Sequence, residues 1–259
     1  MFTFRTTMLG LTLSMITILS SCKKDGPELP SCSGIEWEYE GDAGPEHWAT
    51  LCVDYTTCGG QGQSPIMFSS VSPDASLKPL NRVSANTPTK LLNNGHTIQF
   101  ITEAGTSVTI DGVQYNLVQF HTHTPAEHVP PTGSYPMEIH FVHQQPNTSN
   151  LAVIGVWVKE GASHPFLEQV ADKLPATPSG TYESATPYDP SVLMPANKSY
   201  YTYGGSLTTP PCSETVRWVV MSTPIEASAA QIQHFKEREP VNNRPVQSIG
   251  KRTIRWFKE

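Results

Sequence analysis

Clusters of basic residues are absent from the sequence apart from a few at each end, and the formal net charge is -6. Proteins that bind nucleic acid or a broad anionic membrane surface through electrostatics need such a cluster, so we expect neither partner. From residue 34 onward the chain also lacks internal repeats, low-complexity tracts and shifts in composition. The absence of such boundaries favours one domain over residues 34–259.

Long apolar runs are scarce as well, and the one near the amino terminus is short. Arg5 precedes the run Met8–Leu19, which is too short to span a bilayer as a mature helix. A positive charge followed by such a run is typical of a targeting segment that is removed on export. We therefore expect residues 1–21 to be a signal peptide.

The end of this segment, Leu19-Ser20-Ser21-Cys22, resembles the lipobox of bacterial lipoproteins. The resemblance implies cleavage before Cys22 and attachment of lipid to its sulfur, with residues 22–33 forming the lipidated cysteine and a flexible tether. We expect an exported, membrane-anchored bacterial lipoprotein that faces the periplasm or the cell surface and touches the membrane only through its lipid. A plain secretory signal with an incidental cysteine is the alternative.

Cysteine is also infrequent, with 5 residues in the chain. Setting Cys22 aside leaves an even number, which is typical of disulfides in an exported protein. These cysteines are Cys32, Cys52, Cys58 and Cys212. The sequence alone leaves their pairing open.

Helical periodicity is rare, whereas 23 prolines and 18 glycines indicate many turns between short strands. The predicted strands cover residues 97–102, 107–110, 113–123, 137–143, 151–158 and 216–221. Helices are predicted only over Ser163–Leu174 and from about Ser228 to Glu237. Because strands outnumber helices and do not alternate with them as in βαβ units, we predict a mainly β (α+β) domain with a mostly antiparallel or mixed sheet.

The most informative stretch is residues 119–143, where a turn-rich segment joins two of the predicted strands. Side chains alternate faces along a strand, so His121 and His123 point to the same side. If the second strand lies beside the first, His140 joins them on that face. Three convergent imidazoles are the ligand set of a catalytic zinc ion that keeps its fourth position for water.

Two further polar residues share this face at strand spacing, namely Gln119 on the first strand and Glu138 on the second. Groups in these places hold the ring orientation and tautomer of a metal-bound histidine. Histidines on a half-exposed strand would nevertheless show the same spacing, so the hairpin alone does not decide between the two interpretations.

Five further motifs accompany the central hairpin, namely Trp37–Trp48, Gln63-Ser64-Pro65-Ile66, Asn93-Asn94-Gly95-His96, Ser206–Pro211 and Asn242-Asn243-Arg244-Pro245. Together and in this order, the six motifs resemble an α-class carbonic anhydrase over nearly all of residues 37–257, which resolves that choice in favour of the metal site. The resemblance implies one domain with a large, twisted, mostly antiparallel sheet, a few peripheral helices, and a metal at the floor of a conical cleft. It also implies an enzyme that hydrates CO2 reversibly to bicarbonate and a proton, through attack by zinc-bound hydroxide.

Roles for individual residues follow from the same resemblance. His121, His123 and His140 correspond to the ligands of Zn2+, and the residues that hold these ligands correspond to Gln119, Glu138 and Asn242. Thr208 corresponds to the hydroxyl that orients the attacking oxygen while donating its own hydrogen to Glu127. An ionised carboxylate only accepts hydrogen bonds, whereas a hydroxyl both donates and accepts, so this relay fixes the direction of attack.

The remaining expectations from the resemblance concern the wall of the cleft and its mouth. The residues expected to face CO2 are Val142, Val153, Leu207, Thr209, Val216 and Trp218. His96 is expected to carry the proton to solvent, and the residues expected along its path are Tyr39, Asn94 and Gln99. The implied disulfides join Cys58 to Cys212 and Cys32 to Cys52.

Departures from many relatives include Thr122 in place of Phe between the first two ligands, and Thr124-Pro125 after the second, which together indicate a bacterial branch. Two rival functions share the fold: a catalytically inactive binding module, and a zinc hydrolase for esters. Retention of all three ligands argues against the first, while weak ester hydrolysis is expected as a side reaction. The oligomeric state is left open between monomer and dimer.

Overall fold

A computed structural model describes residue 1 and residues 29–69, 71–239 and 241–259. The predicted signal peptide and Cys22 lie outside the described residues, so both stay predictions. Within the described part of the chain, no helix is long and apolar enough to cross a membrane.

The described residues form eleven strands and three α-helices, with short 3₁₀ turns between them. The strands are β1 (Asn81–Val83), β2 (Thr87–Asn93), β3 (Ile98–Ile101), β4 (Ser107–Ile110), β5 (Val113–His123), β6 (Met137–Gln144), β7 (Leu151–Glu160), β8 (Thr181–Tyr188), β9 (Tyr200–Gly205), β10 (Val216–Ala227) and β11 (Arg255–Phe257). The helices are α1 (Trp48–Leu51), α2 (Pro165–Val170) and α3 (Ala229–Arg238).

All the strands belong to one sheet, whose main path runs in the order β11-β9-β10-β7-β6-β5-β3-β2-β8. β4 pairs with β5 beyond the end of β3, and β1 pairs with β4. β7 and β10 run parallel, and the other pairs of named strands are antiparallel. The prediction of a mainly β domain with a mostly antiparallel or mixed sheet is therefore confirmed.

The predicted elements occur close to their expected bounds. β4 and β5 begin and end as predicted, while β7 and β10 run further than the apolar pattern indicated. The first predicted helix is shorter, because α2 ends at Val170 and a 3₁₀ turn covers Ala171–Lys173. The second prediction matches α3, which begins after Ser228 in a capping box closed by Gln231.

The two faces of the sheet carry separate apolar clusters because alternate residues of the same strands point to opposite sides. On one face, the rings of Phe100, Phe120 and Phe141 stack with centroids 4.4 and 5.0 Å apart, beneath α2 and α3. On the other face, Trp157 and Trp218 belong to a second cluster. The candidate site lies on this second face.

Both disulfides implied by the family resemblance are present. Cys58–Cys212 spans 154 residues of sequence and fastens a 3₁₀ segment to the loop that precedes β10. Cys32–Cys52 fastens the first described residues of the domain to the end of α1. The four cysteines are therefore all paired, as expected for an exported protein.

Candidate metal centre

The β5–β6 hairpin brings the three histidines together as the alternation of its side chains predicts. His121 pairs directly with His140 across the antiparallel ladder, and His123 pairs with Glu138. His140 in turn lies opposite Gly155 of β7. A side chain at Gly155 would meet Glu138 Oε1 at 2.8 Å, so glycine here leaves room for that carboxylate.

One nitrogen from each of His121, His123 and His140 lies within 4.8 Å of the others. Each ring is held by a hydrogen bond on its other nitrogen. His121 Nδ1 is 2.9 Å from Gln119 Oε1, His123 Nδ1 is 2.7 Å from the carbonyl of Asn242, and His140 Nε2 is 2.9 Å from Glu138 Oε1. Asn242 thus acts through its backbone, a detail that the family resemblance did not specify.

The unbonded side of this cluster has the chemistry of a cation site. His123 Nε2 is buried and has no hydrogen-bond partner among the described residues, and the same holds for Glu127 Oε2. Glu127 Oε2 lies 3.6 Å from His123 Nε2 and 3.8 Å from His140 Nδ1. Buried polar atoms are rarely left unpaired, and convergent imidazoles beside a carboxylate are a donor set that suits zinc. The residues present therefore fit the metal that the family resemblance implies.

Desolvation lowers the pKa of His121 and of His140, and neighbouring imidazoles lower both further, while the carboxylate of Glu138 opposes the shift only in part. Neutral rings with a free lone pair are the form in which histidine binds a metal. Burial disfavours ionisation of Glu138, but its electrostatic interactions and hydrogen bonds with the His128 and His140 rings outweigh that effect and hold the pKa of Glu138 well below its usual range. The site therefore combines neutral ligands with a buried anion behind them.

Glu138 connects the metal site to a buried network that sequence reasoning missed. Its Oε2 accepts the backbone N–H groups of Glu127 and His128 at 2.9 and 2.8 Å, and its Oε1 lies 2.8 Å from His128 Nδ1. His128 Nε2 is 2.7 Å from the hydroxyl of Tyr203, which donates to Ser64 Oγ. His128 stands beside Glu127 in the sequence, so the only signal was a histidine in a motif already considered.

Arg244 is a second residue missed as a contributor, although it lies within a quoted motif. Its guanidinium is fully buried and donates to Gln63 Oε1 at 2.7 Å, to the carbonyl of Ser64 at 3.0 Å and to the carbonyl of Cys58 at 2.9 Å. Its backbone N–H donates to Glu127 Oε1 at 2.8 Å. Arg244 therefore fixes the position of the acid that faces the histidines.

The structure places Thr208 in a buried position on the loop between β9 and β10. The hydrogen bond expected from Thr208 to Glu127 is not formed, since Glu127 Oε2 has no partner among the described residues. The Cys58–Cys212 disulfide holds this loop, and the backbone N–H of Cys212 donates to the carbonyl of Thr209. The relay through Thr208 accordingly stays a prediction.

The residues expected to form an apolar wall do lie together. Val153, Val216 and Trp218 are buried in the apolar cluster of this face, and Val142 and Leu207 pack against it. The Trp218 ring lies 4.8 Å from that of His140, edge to face. The wall is therefore continuous with the candidate ligands.

His96 lies in the turn between β2 and β3. Its ring stacks on Trp37 with centroids 3.7 Å apart, and its Nε2 is 3.0 Å from the carbonyl of Trp37. Asn94 shapes the turn, because its Oδ1 accepts the backbone N–H groups of His96 and Thr97. Gln99 pairs with His121 across β3 and β5, which places it next to the ligands.

A cavity of about 350 Å³ opens beside this turn, lined in part by Tyr39, His96, Glu239 and Asn242. Desolvation raises the pKa of Tyr39 well above its usual value, and the charges of Glu127 and Glu239 add to the effect. Tyr39 therefore stays protonated at neutral pH.

Comparison with known proteins agrees with this geometry. Residues 43–258 match the family model of eukaryotic-type carbonic anhydrases. A carbonic anhydrase from Pectobacterium carotovorum is 36% identical over 93% of this chain and 98% of its own length.

Solved structures give the same result. An α-carbonic anhydrase from Thermovibrio ammonificans, solved with the inhibitor sulfanilamide, shares 41% identity and a TM-score of 0.81, covering 85% of this chain and 98% of the other. The α-carbonic anhydrase of Photobacterium profundum shares 38% identity and a TM-score of 0.79, covering 85% of this chain and 99% of the other. The chain belongs to the eukaryotic-type, or α, family of carbonic anhydrases.

Proposed function

We propose that the protein is a zinc enzyme that hydrates CO2 reversibly to bicarbonate and a proton. The observation that carries the proposal is the set of three anchored imidazoles whose remaining nitrogens converge within 4.8 Å. His121, His123 and His140 would hold the ion. When bound, zinc acts as a Lewis acid that acidifies water, so that hydroxide is available near neutral pH.

The protein's own residues orient the reaction. In the metal-loaded enzyme Thr208 would accept a hydrogen bond from the attacking oxygen and would turn its own hydrogen toward Glu127, forming a bond that the described residues do not show. Glu127 Oε2 suits this role because it is buried, unpartnered and next to the ligand nitrogens, while Oε1 is fixed by Arg244. The direction of the relay follows because the carboxylate can only accept.

The apolar wall supplies the place for CO2. Val142, Val153 and Trp218 face the same side of the sheet as His140, and Leu207 closes the cluster from the loop that carries Thr208 and Thr209. A small apolar molecule loses little on leaving water for such a wall, whereas bicarbonate is charged and leaves it readily. This asymmetry favours CO2 over larger polar substrates.

His96 removes the proton that the reaction releases. It is half-buried beside the cavity that Tyr39 and Asn242 also line, and an imidazole ring can both accept and release a proton. Tyr39, Asn94 and Gln99 would line the path of that proton. Ester hydrolysis at the same centre is proposed as a slow side reaction.

Stopped-flow CO2 hydration tests the proposal directly. Removal of zinc by a chelator should abolish turnover, and added zinc should restore it. A chain that binds zinc but hydrolyses esters faster than it hydrates CO2 would contradict the proposal, and so would a chain with neither activity, as expected of a binding module. His234→Ala, an exposed histidine on α3, is the matched control for substitutions of the ligands.

We also propose that the enzyme is exported and anchored through lipid on Cys22. The two disulfides fit an oxidising compartment. Mass spectrometry of the membrane fraction tests the anchor, and a lipid-modified amino-terminal cysteine would support it. Release of the Cys22→Ser variant into the soluble fraction would support the anchor as well. Unmodified protein beginning elsewhere would support the plain secretory signal instead.

A further inference from the structure

Behind the ligand-bearing strand lies a buried acid to which the mechanism assigns no task. Glu239 follows α3 directly, and its backbone N–H still donates to the carbonyl of Phe235. The residue is only 2% exposed. No described cation lies within ion-pair distance of its carboxyl group, so neutral hydrogen bonds alone hold it.

Those hydrogen bonds come from two different strands. Oε2 lies 2.5 Å from the hydroxyl of Thr122, the residue between the first two candidate ligands on β5. Oε1 lies 2.8 Å from the hydroxyl of Thr97 and also accepts the backbone N–H of Ile98 at the start of β3. One carboxyl group therefore joins the ligand-bearing strand to the end of the turn that carries His96.

The backbone near Glu239 continues this connection. The hydroxyl of Thr124 donates to the carbonyl of Glu239 at 2.9 Å. Asn242, which follows closely, accepts from His123 Nδ1 through its carbonyl and from the backbone N–H of Thr124 through Oδ1. Its amide donates to the carbonyl of Thr122 at 3.0 Å. The position of Glu239 thus sets where the partner of His123 lies.

We propose that Glu239 is a positioning residue for the metal site, which holds Thr122 and the segment ending in Asn242 in register so that His121 and His123 point at one ion. This role rests on the proposed function. Thr122 has a ligand on each side, so a shift of its backbone moves both imidazoles, and a few tenths of an ångström matter at zinc–nitrogen distances.

Three substitutions in the full, zinc-loaded chain with both disulfides test the role. Glu239→Leu removes both carboxylate oxygens, which accept the hydrogen bonds, but keeps most of the volume of the side chain. Glu239→Gln can keep its oxygen toward Ile98 and turn its amide toward the hydroxyl of Thr122, which can accept. Glu237→Leu, an exposed position on the same helix, is the matched control.

The readouts are the rate at which zinc passes to an excess of a chromophoric chelator, and the visible absorption spectrum of the cobalt-substituted protein. We expect Glu239→Leu to release zinc at least about tenfold faster and to alter the cobalt spectrum, since residues that support ligands change metal affinity on that scale. Glu239→Gln should release zinc at a rate within about threefold of wild type, and Glu237→Leu should release zinc at the wild-type rate.

A purely structural role predicts a different result: Glu239→Leu would melt at a lower temperature but keep the zinc release rate and cobalt spectrum of wild type, which would overturn the proposal. If Glu239→Leu does not fold, Thr122→Val removes only the bond to Oε2 and should release zinc about threefold faster. An unchanged rate in Thr122→Val would likewise overturn it. Failure of the wild type to hold zinc would instead refute the proposed function.

Discussion

The two faces of the β5–β6 pair differ in how their side chains are held. On the cleft face, His121, His123 and His140 depend on hydrogen bonds, one of which comes from Asn242, far away in the chain. On the opposite face, Phe120 and Phe141 pack against each other and against further apolar residues. The same strands thus carry one face whose geometry needs directional partners and one face whose packing does not.

Because the two faces are held differently, substitutions on the cleft face and on the opposite face should have different consequences. Hydrogen bonds fix direction, so a loss on the cleft face should change activity while the fold persists. Apolar packing contributes most of the free energy of folding, so a loss on the opposite face should change stability while the site persists. Substitutions on each face can test whether the two properties are separable.

The largest effect is expected on the cleft face. His121→Ala removes one of the three proposed ligands and should lower CO2 hydration at least about 1000-fold, because a two-ligand site holds zinc poorly. Because His121 is only partly buried, the metal-free variant should melt close to metal-free wild type. Stopped-flow assay, zinc analysis and thermal melting measure these quantities, and a variant that keeps both zinc and activity would refute the ligand assignment.

On the opposite face, Phe120→Ala should destabilise the protein by about 3–5 kcal/mol, the usual cost of deleting a buried ring. Phe120 is 1% exposed and stacks on both Phe100 and Phe141. Urea unfolding of the metal-free protein measures the free energy of unfolding. The folded variant should still bind zinc, and loss of binding in folded protein would show that the two faces are not separable.

His143 sharpens the comparison because it is a histidine on the apolar face. It is 3% exposed, and its Nδ1 donates to the carbonyl of Phe141 at 2.9 Å. Burial lowers its pKa to about 4, and the opposing hydrogen bonds to the backbone of Phe141 and Ala152 offset this only in part. The folded state therefore resists protonation of a group that the unfolded chain protonates near pH 6.5.

The sign of the pH dependence follows from that difference. Between pH 6.5 and 4 the unfolded chain binds more protons than the folded one, so stability is full above this window and falls as pH falls through it. The decrease in the free energy of unfolding that is due to His143 should reach about 3 kcal/mol at the acid end of this window. His143→Leu should show a shallower decline in urea unfolding of metal-free protein across this range. Equal declines in both proteins would contradict the assignment.

The alternation of β5 and β6 was enough to predict which residues share the cleft face, since a period of two is a local property of the strand. Glu239 and Arg244 were missed because they reach the site only through tertiary contacts, and buried charge has no local pattern. β2 was missed because Pro88 cannot donate to a ladder; the structure accommodates it with a register shift against β8. The hydrogen bond from Thr208 to Glu127, implied by family resemblance alone, is not formed among the described residues.

His96 belongs to neither face, and its replacement should have the smallest effect. Proton removal limits turnover only when other carriers are scarce, so His96→Ala should lower the turnover number about tenfold in weak buffer and little in concentrated buffer. Added imidazole should restore the loss, because it takes over the transfer. His47→Ala, an exposed histidine, is the control. A loss that no buffer relieves would mean that the stacking of His96 on Trp37 shapes the cleft, and that the proton leaves by another route.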